Sequence, residues 1–164
     1  MARYMICVFC LMLILAGCGK EVQESTMEKK IEQATGGDAE VDLSDDGMKI
    51  TGKTEEGEYA ITSGEETEIP EDFPSDVFIY RPSKAVMAMK VPDGYSVTLT
   101  TKDDKAKVVE AYKGQMQAKG WSEEGSMNMG SHSMLVYEKD GRNANINIIP
   151  SDDGVQINVM VAAE

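Results

Sequence analysis

From residue 77 onward the spacing of apolar residues changes from short-period to long-period and back. Val77-Phe78-Ile79-Tyr80 predicts a short strand that stops before Pro82, and Ala85 to Val91 predicts a second. After the turn signal Asp93-Gly94, Tyr95, Val97 and Leu99 alternate with polar residues, the signature of a strand with one apolar face. Over 103–119 the period lengthens, and Val108, Val109, Tyr112 and Met116 fall on one helical stripe. Thr101 with Asp104 three positions later resembles a capping box built with the shorter acid. Gly120 suits the left-handed position that ends a helix. Trp121 then follows where it can contact Met116, so the single tryptophan is expected to staple the helix end. Three more strands come next, at 134–138, 143–148 and 155–161, with turns at Asp140-Gly141 and across 150–154. Facing Ile148 with Val155 pairs Ile146 with Ile157 and Ala144 with Val159. That register sets Asn147 opposite Gln156 and Asn145 opposite Asn158.

Upstream the pattern is weaker. Met27, Ile31 and Ala34 follow helical spacing, with Gly36-Gly37 as a stop. Met48/Ile50 and Tyr59/Ile61 alternate around Thr54-Glu55-Glu56-Gly57, which predicts an acidic hairpin. Residues 64–76 carry two prolines and six acids and read as a linker or rigid loop. The fold class expected is α+β. An antiparallel β-sheet carries one main helix on one face, preceded by an acidic β-hairpin and a flexible N-terminal tether. The corresponding segments are a signal peptide over 1–17, a lipid-anchored tether over 18–38, hairpin and linker over 39–76, and an α+β domain over 77–164.

Charge and the N-terminus add location. The chain carries a formal charge of −13. From Cys18 to Asp76 there are 5 Lys against 18 Asp and Glu, while residues 77–164 hold 10 Lys and Arg against 11 Asp and Glu. The acidity of the first part argues against nucleic acid and against anionic headgroups, and suits a solvated spacer. Arg3 is the only charge before Lys20, and the apolar run from Tyr4 to Leu15 that follows it is too short for a permanent membrane span. Leu15-Ala16-Gly17-Cys18 then resembles a lipobox, which implies cleavage before Cys18 and lipidation of that residue. Cys7 and Cys10 fall in the removed segment, so the mature chain has no disulfide framework, free thiol nucleophile or thiolate metal ligand. No cofactor is expected.

The densest candidate chemistry is SMNMGSHSM, residues 126–134. Met127 and Met129 share one face of a strand, Gly130-Ser131-His132 reverses the chain, and Met134 returns on the partner strand. The reading preferred is that these methionines extend the apolar face beneath the helix, with His132 exposed at the turn. The alternative is a soft-metal site for Cu(I) or Ag(I) built from Met127, Met129, His132 and Met134. It is similar to exported copper and silver carriers in residue types only. A second candidate is the amide face of Asn143, Asn145, Asn147, Gln156 and Asn158, able to donate and accept toward a sugar or a peptide backbone. Asp42-x-Ser44-x-Asp46-Gly47 begins like a calcium loop, but Lys53 stands where a bidentate glutamate is required. A hydrolase would have to use His132 as base with no evident orienting acid, so an enzyme is not expected.

The lipobox, the Gly36-Gly37 tether, the acidic hairpin, Pro70-Glu-Asp-Phe-Pro74-Ser-Asp-Val77 and Tyr112…Gly120-Trp121 together resemble a group of uncharacterised bacterial lipoproteins. The resemblance implies envelope localisation and a small α+β domain, and brings no activity with it. The function expected is a lipid-anchored, non-catalytic envelope protein that binds a protein or polymer partner. Its expected place is the outer membrane or the outer face of the cytoplasmic membrane.

Overall fold

A computed structural model of the chain describes residues 19–65 and 67–162. The lipobox and Cys18 lie outside the described residues. Alternation over the described chain produces nine strands, β1 Asp38–Leu43, β2 Gly47–Thr54, β3 Gly57–Gly64, β4 Lys84–Val91, β5 Gly94–Thr101, β6 Ser122–Met129, β7 His132–Lys139, β8 Arg142–Ser151 and β9 Gly154–Ala162. Two helices accompany them, α1 Gly19–Thr35 and α2 Lys105–Ala118. All nine strands join one antiparallel sheet in the order β1-β2-β3-β4-β5-β9-β8-β7-β6. Nine strands in one sheet against two helices make this a sheet with helices applied to it, not the expected α+β sandwich. Two further elements of that expectation also give way. The acidic hairpin continues the main sheet, because β3 pairs with β4 through Ile61↔Met89 and Thr62↔Ala88. The stretch expected to be a flexible tether with a short helix through Met27, Ile31 and Ala34 is the 17-residue α1, which ends at Thr35, before the expected Gly36-Gly37 stop.

α2 follows its apolar stripe. Val108, Tyr112 and Met116 are buried, and Val109 is half-buried. Its start differs from the expected capping box. Asp104 is the N-cap, and its carboxylate accepts from the Lys107 backbone N–H at 3.0 Å. Thr101 belongs instead to the end of β5. The C-terminus is the Schellman ending expected from sequence. Gly120, at φ +84, donates to the Gln117 carbonyl at 3.0 Å, and Trp121 donates to the Met116 carbonyl at 3.0 Å.

The stripe packs on the sheet face formed by Val97, Leu99, Leu135, Tyr137, Ala144, Ile146, Ile148, Ile157 and Val159, all essentially inaccessible. Each large side chain there contributes roughly 1.5–3 kcal/mol of transfer free energy. The β8–β9 register is Ile148↔Ile157, Ile146↔Val159, Ala144↔Val161 and Asn147↔Asn158. That is two residues from the register expected. The shift preserves which residues share a face, because side chains alternate with period two, and it follows from a tight turn at Asp152-Asp153 that pairs Ser151 with Gly154. Val77 to Tyr80 is not the expected strand. It runs as irregular chain, yet Val77 and Tyr80 are buried, and Phe78 meets Tyr80 and Tyr112 edge to face at 6.3 and 5.2 Å.

An ion cluster holds this loop in place. Asp76 accepts from Arg142 at 2.6 Å and from Lys139 at 2.7 Å. Trp121 Nε1 donates to the Asp76 carbonyl at 2.8 Å, and the Arg142 guanidinium lies 5.3 Å from the indole centroid. Burial opposes the Asp76 charge, but hydrogen bonds from Lys139 and Arg142 prevail and hold its carboxyl below the usual carboxylate range.

The apolar side of the sheet changes face along its width. Through the pairings, Val41, Ile50, Ile61 and Met89 lie on the face opposite α2, while Asp42, Lys49 and Thr62 occupy the α2 side. Val41 and Ile50 are nonetheless buried. α1 lies against β1 at this end, and Glu28 and Glu24 accept from the edge N–H groups of Val41 and Leu43 at 3.2 and 3.0 Å. These carboxylates occupy donors that an edge strand would otherwise present to another chain.

Replacing Asp76 by Asn leaves Arg142 buried beside a weaker partner. The expected cost is roughly 2–4 kcal/mol, read as a lower urea midpoint at unchanged slope. A lowered native carboxyl stabilises the fold above the unfolded value, near 3.8, and loses that effect as pH falls through the native value. The difference between parent and variant should therefore shrink below about pH 4. Separately, Glu24→Ala with Glu28→Ala should speed amide hydrogen exchange at Val41 and Leu43 while leaving the β8–β9 amides protected.

Candidate binding face

Among the described residues no helix covers the face opposite α2 over β4 to β9, and its side chains can be followed strand by strand. Cross-strand pairing gives one row Met87–Thr98–Asn158–Asn147–Met134–Met127. A second, parallel row runs Met89–Ser96–Met160–Asn145–Val136. Gln156 lies opposite Thr100 and Ile149, and Met129 lies opposite His132 at the β6–β7 hairpin. Asn143, paired with Glu138, completes this face.

The amide residues expected to share a face do share it. Asn145, Asn147 and Asn158 are half-buried by their neighbours, while Asn143 and Gln156 are exposed. Asn158 donates to Ser96 Oγ at 3.3 Å and to Thr98 Oγ1 at 3.2 Å, so its amide is held against β5 with its carbonyl oxygen oriented by the same contacts.

The methionines depart from expectation. Ser133, Leu135 and Tyr137 are the β7 residues that enter the core, which turns His132, Met134 and Val136 to the other side. Met127 and Met129 pair across to Met134 and His132, and so face away from α2. They are 51% and 58% exposed. The expectation that they fill space beneath the helix fails because the parity of β7 assigns that role to Leu135 and Tyr137. Met87 and Met160, 42% and 39% exposed, stand on the same face. Thus the large hydrophobic side chains that remain exposed among the described residues are methionines, and one face holds them. Met87 and Met160 escaped the sequence reading because they lie on strands far from 126–134. The available signal was their parity, opposite to Ala88 and to Val159.

The α2 side offers less room. Val108, Tyr112, Met116, Leu135, Tyr137 and Ile146 fill the space between helix and sheet. Burial raises the hydroxyl of Tyr112 and pushes that of Tyr137 up to about 12, so both stay neutral. An open cleft of about 740 Å³ lies at the start of α2, between Lys84, Lys102, Asp103, Asp152 and Asp153. Its mixed charges select no single sign of ligand. Among the described residues no group of three or more His, Cys, Asp or Glu side chains is placed to hold a metal ion. No described helix is long and apolar enough to cross a membrane.

Comparison with known proteins gives one likeness. A family described as START domain-like matches residues 85–154, from β4 through α2 to the β8–β9 turn. No curated protein and no solved structure matches the chain. The likeness accords with a binding or structural module.

Exposed methionines contribute little to stability. Met127→Ser with Met129→Ser should leave the unfolding free energy within about 0.5 kcal/mol of the parent. Leu135→Ala, at a fully buried position, should cost about 2–5 kcal/mol. Urea titration of both variants separates the outward from the inward assignment.

Proposed function

We propose that the protein is a non-catalytic binding module of the bacterial envelope, anchored through lipid on Cys18. In this reading it presents the methionine and amide face of its sheet to a protein or polymer partner. The observation that carries the reading is the gathering of Met87, Met127, Met129 and Met160, all exposed, on the same face as Asn143, Asn145, Asn147, Gln156 and Asn158. An apolar patch interleaved with amides has the composition of a recognition surface. Thioether side chains adapt to irregular partners, and amides match the donors and acceptors of a peptide backbone, so a polypeptide is the better fit of the two classes.

Further facts support it. Domains described as START-like typically bind ligands and do not catalyse reactions. The space between α2 and the sheet is filled with side chains, which leaves the outer face as the surface with room. His132 is exposed at a hairpin tip, a poor setting for a catalytic base. The lipid anchor rests on Leu15-Ala16-Gly17-Cys18 and the apolar run before it. An anchored chain with an acidic first part would hold the sheet away from anionic headgroups.

A photo-crosslinking residue at Met160, compared in intact cells with one at Lys113 on the exposed side of α2, tests the proposal. The sheet-face probe should give a discrete adduct that Asn145→Ala with Met127→Ser diminishes, and the helix probe should not. Equal adducts from both probes, or none from the sheet face, would sink it. Digestion of the adduct with protease distinguishes a polypeptide from a polysaccharide partner.

A further inference from the structure

We propose that the tip of the β6–β7 hairpin holds a soft monovalent cation, Cu(I) or Ag(I), between the thioethers of Met127, Met129 and Met134 and the imidazole of His132. The site shares methionines with the docking face but rests on a separate observation, the pairing at the hairpin. Met127↔Met134 and Met129↔His132 are consecutive pairs on the same face of the sheet. Directly opposed residues have Cβ atoms about 5 Å apart. Residues two apart on one strand are separated by about 6.7 Å. The four side chains therefore leave the corners of a small rectangle whose centre is about 4 Å from each corner, within reach of a methionine sulfur or a histidine nitrogen.

The rectangle is held by the backbone, not by the donors. Gly130, at φ +62, occupies the first position of the two-residue turn Gly130-Ser131, the conformation a tight hairpin of this kind requires. On the opposite face Ser133 donates to Asn128 Oδ1 at 2.6 Å, which locks the register between the two donor pairs. Ser133 is buried, so the core fixes this lock. No carboxylate belongs to the quartet. Three neutral thioethers and one imidazole select a soft ion over Ca(II), Mg(II) or Zn(II). The exposure of Met127 and Met129 gives the ion direct access from solvent.

The test uses the full chain in detergent with its cysteine thiols alkylated, so that thiolates do not compete. Silver nitrate is titrated while methionine methyl and histidine ring resonances are followed by NMR. Saturation at one equivalent is expected, with shifts confined to Met127, Met129, Met134 and His132. Cu(I) against a chelating competitor should give the same stoichiometry. Met127→Leu with Met129→Leu and Met134→Leu keeps the apolar surface but removes the sulfurs, and should weaken binding at least about tenfold. His132→Ala, at an exposed position, should weaken it without disturbing the sheet. Unshifted resonances at these four residues, or a leucine variant that binds as tightly as the parent, would overturn the proposal. His132→Ala, outside the residues assigned to the docking face, should weaken metal binding and still give the sheet-face crosslink, so loss of metal binding and loss of the partner are read separately.

Discussion

A sheet of nine strands has two faces and two edges, and among the described residues two helices are available to cover them. That imbalance governs the rest of the molecule. α2 takes one face over the C-terminal strands, where Val108, Tyr112 and Met116 meet Leu135, Ile146 and Ile157. α1 takes the opposite end, beside β1. The alternation in β1 to β3 accordingly changes sides, so that Val41 and Ile50 are buried on the face that α2 does not cover. What remains is the outer face of β4 to β9. Asparagines, threonines and methionines predominate there, with Ser96, Val136 and Gln156 among them.

The loop between β3 and β4 depends on the same arrangement. It has no strand pairing of its own, so side chains fix it. Asp76 meets Lys139 and Arg142 at the β7–β8 turn, and Trp121 reaches the Asp76 carbonyl from the end of α2. Phe73 packs edge to face on Tyr95 at 5.7 Å, and Lys90 binds Asp72. The second of these ion pairs is more exposed and contributes less than the first, where Arg142 is buried against an indole. Through these contacts the loop packs against β4, β5 and the β7–β8 turn, while β1 to β3 join the rest of the sheet through the β3–β4 pairing.

The chemistry available to the protein follows from what this packing excludes. Its interior is largely apolar, with the hydroxyls of Tyr112 and Tyr137 kept neutral by burial and the buried Ser133 and Arg142 hydrogen-bonded. Reactive groups are therefore on the surface, where adaptable apolar contact and amide hydrogen bonding are the strongest assets. Among the described residues, soft donors stand in register at the hairpin that carries His132, and it lies at the rim of the same surface.

Much of this was legible in the sequence by itself, where the physics is local. The stripe of α2, its Schellman ending at Gly120-Trp121, and the shared face of Asn143, Asn145, Asn147, Gln156 and Asn158 all follow from spacing within a few residues of each other. Turn chemistry and side-chain period fix such features whatever surrounds them. Tertiary structure alone decided the pairing of β3 with β4, the union of Met87 and Met160 with the 127–134 hairpin, and the side on which each strand is covered. Alternation states that two faces differ but not which will meet a helix. That choice rests on contacts between strands far apart in the chain, and it turned Met127 and Met129 from the core toward water.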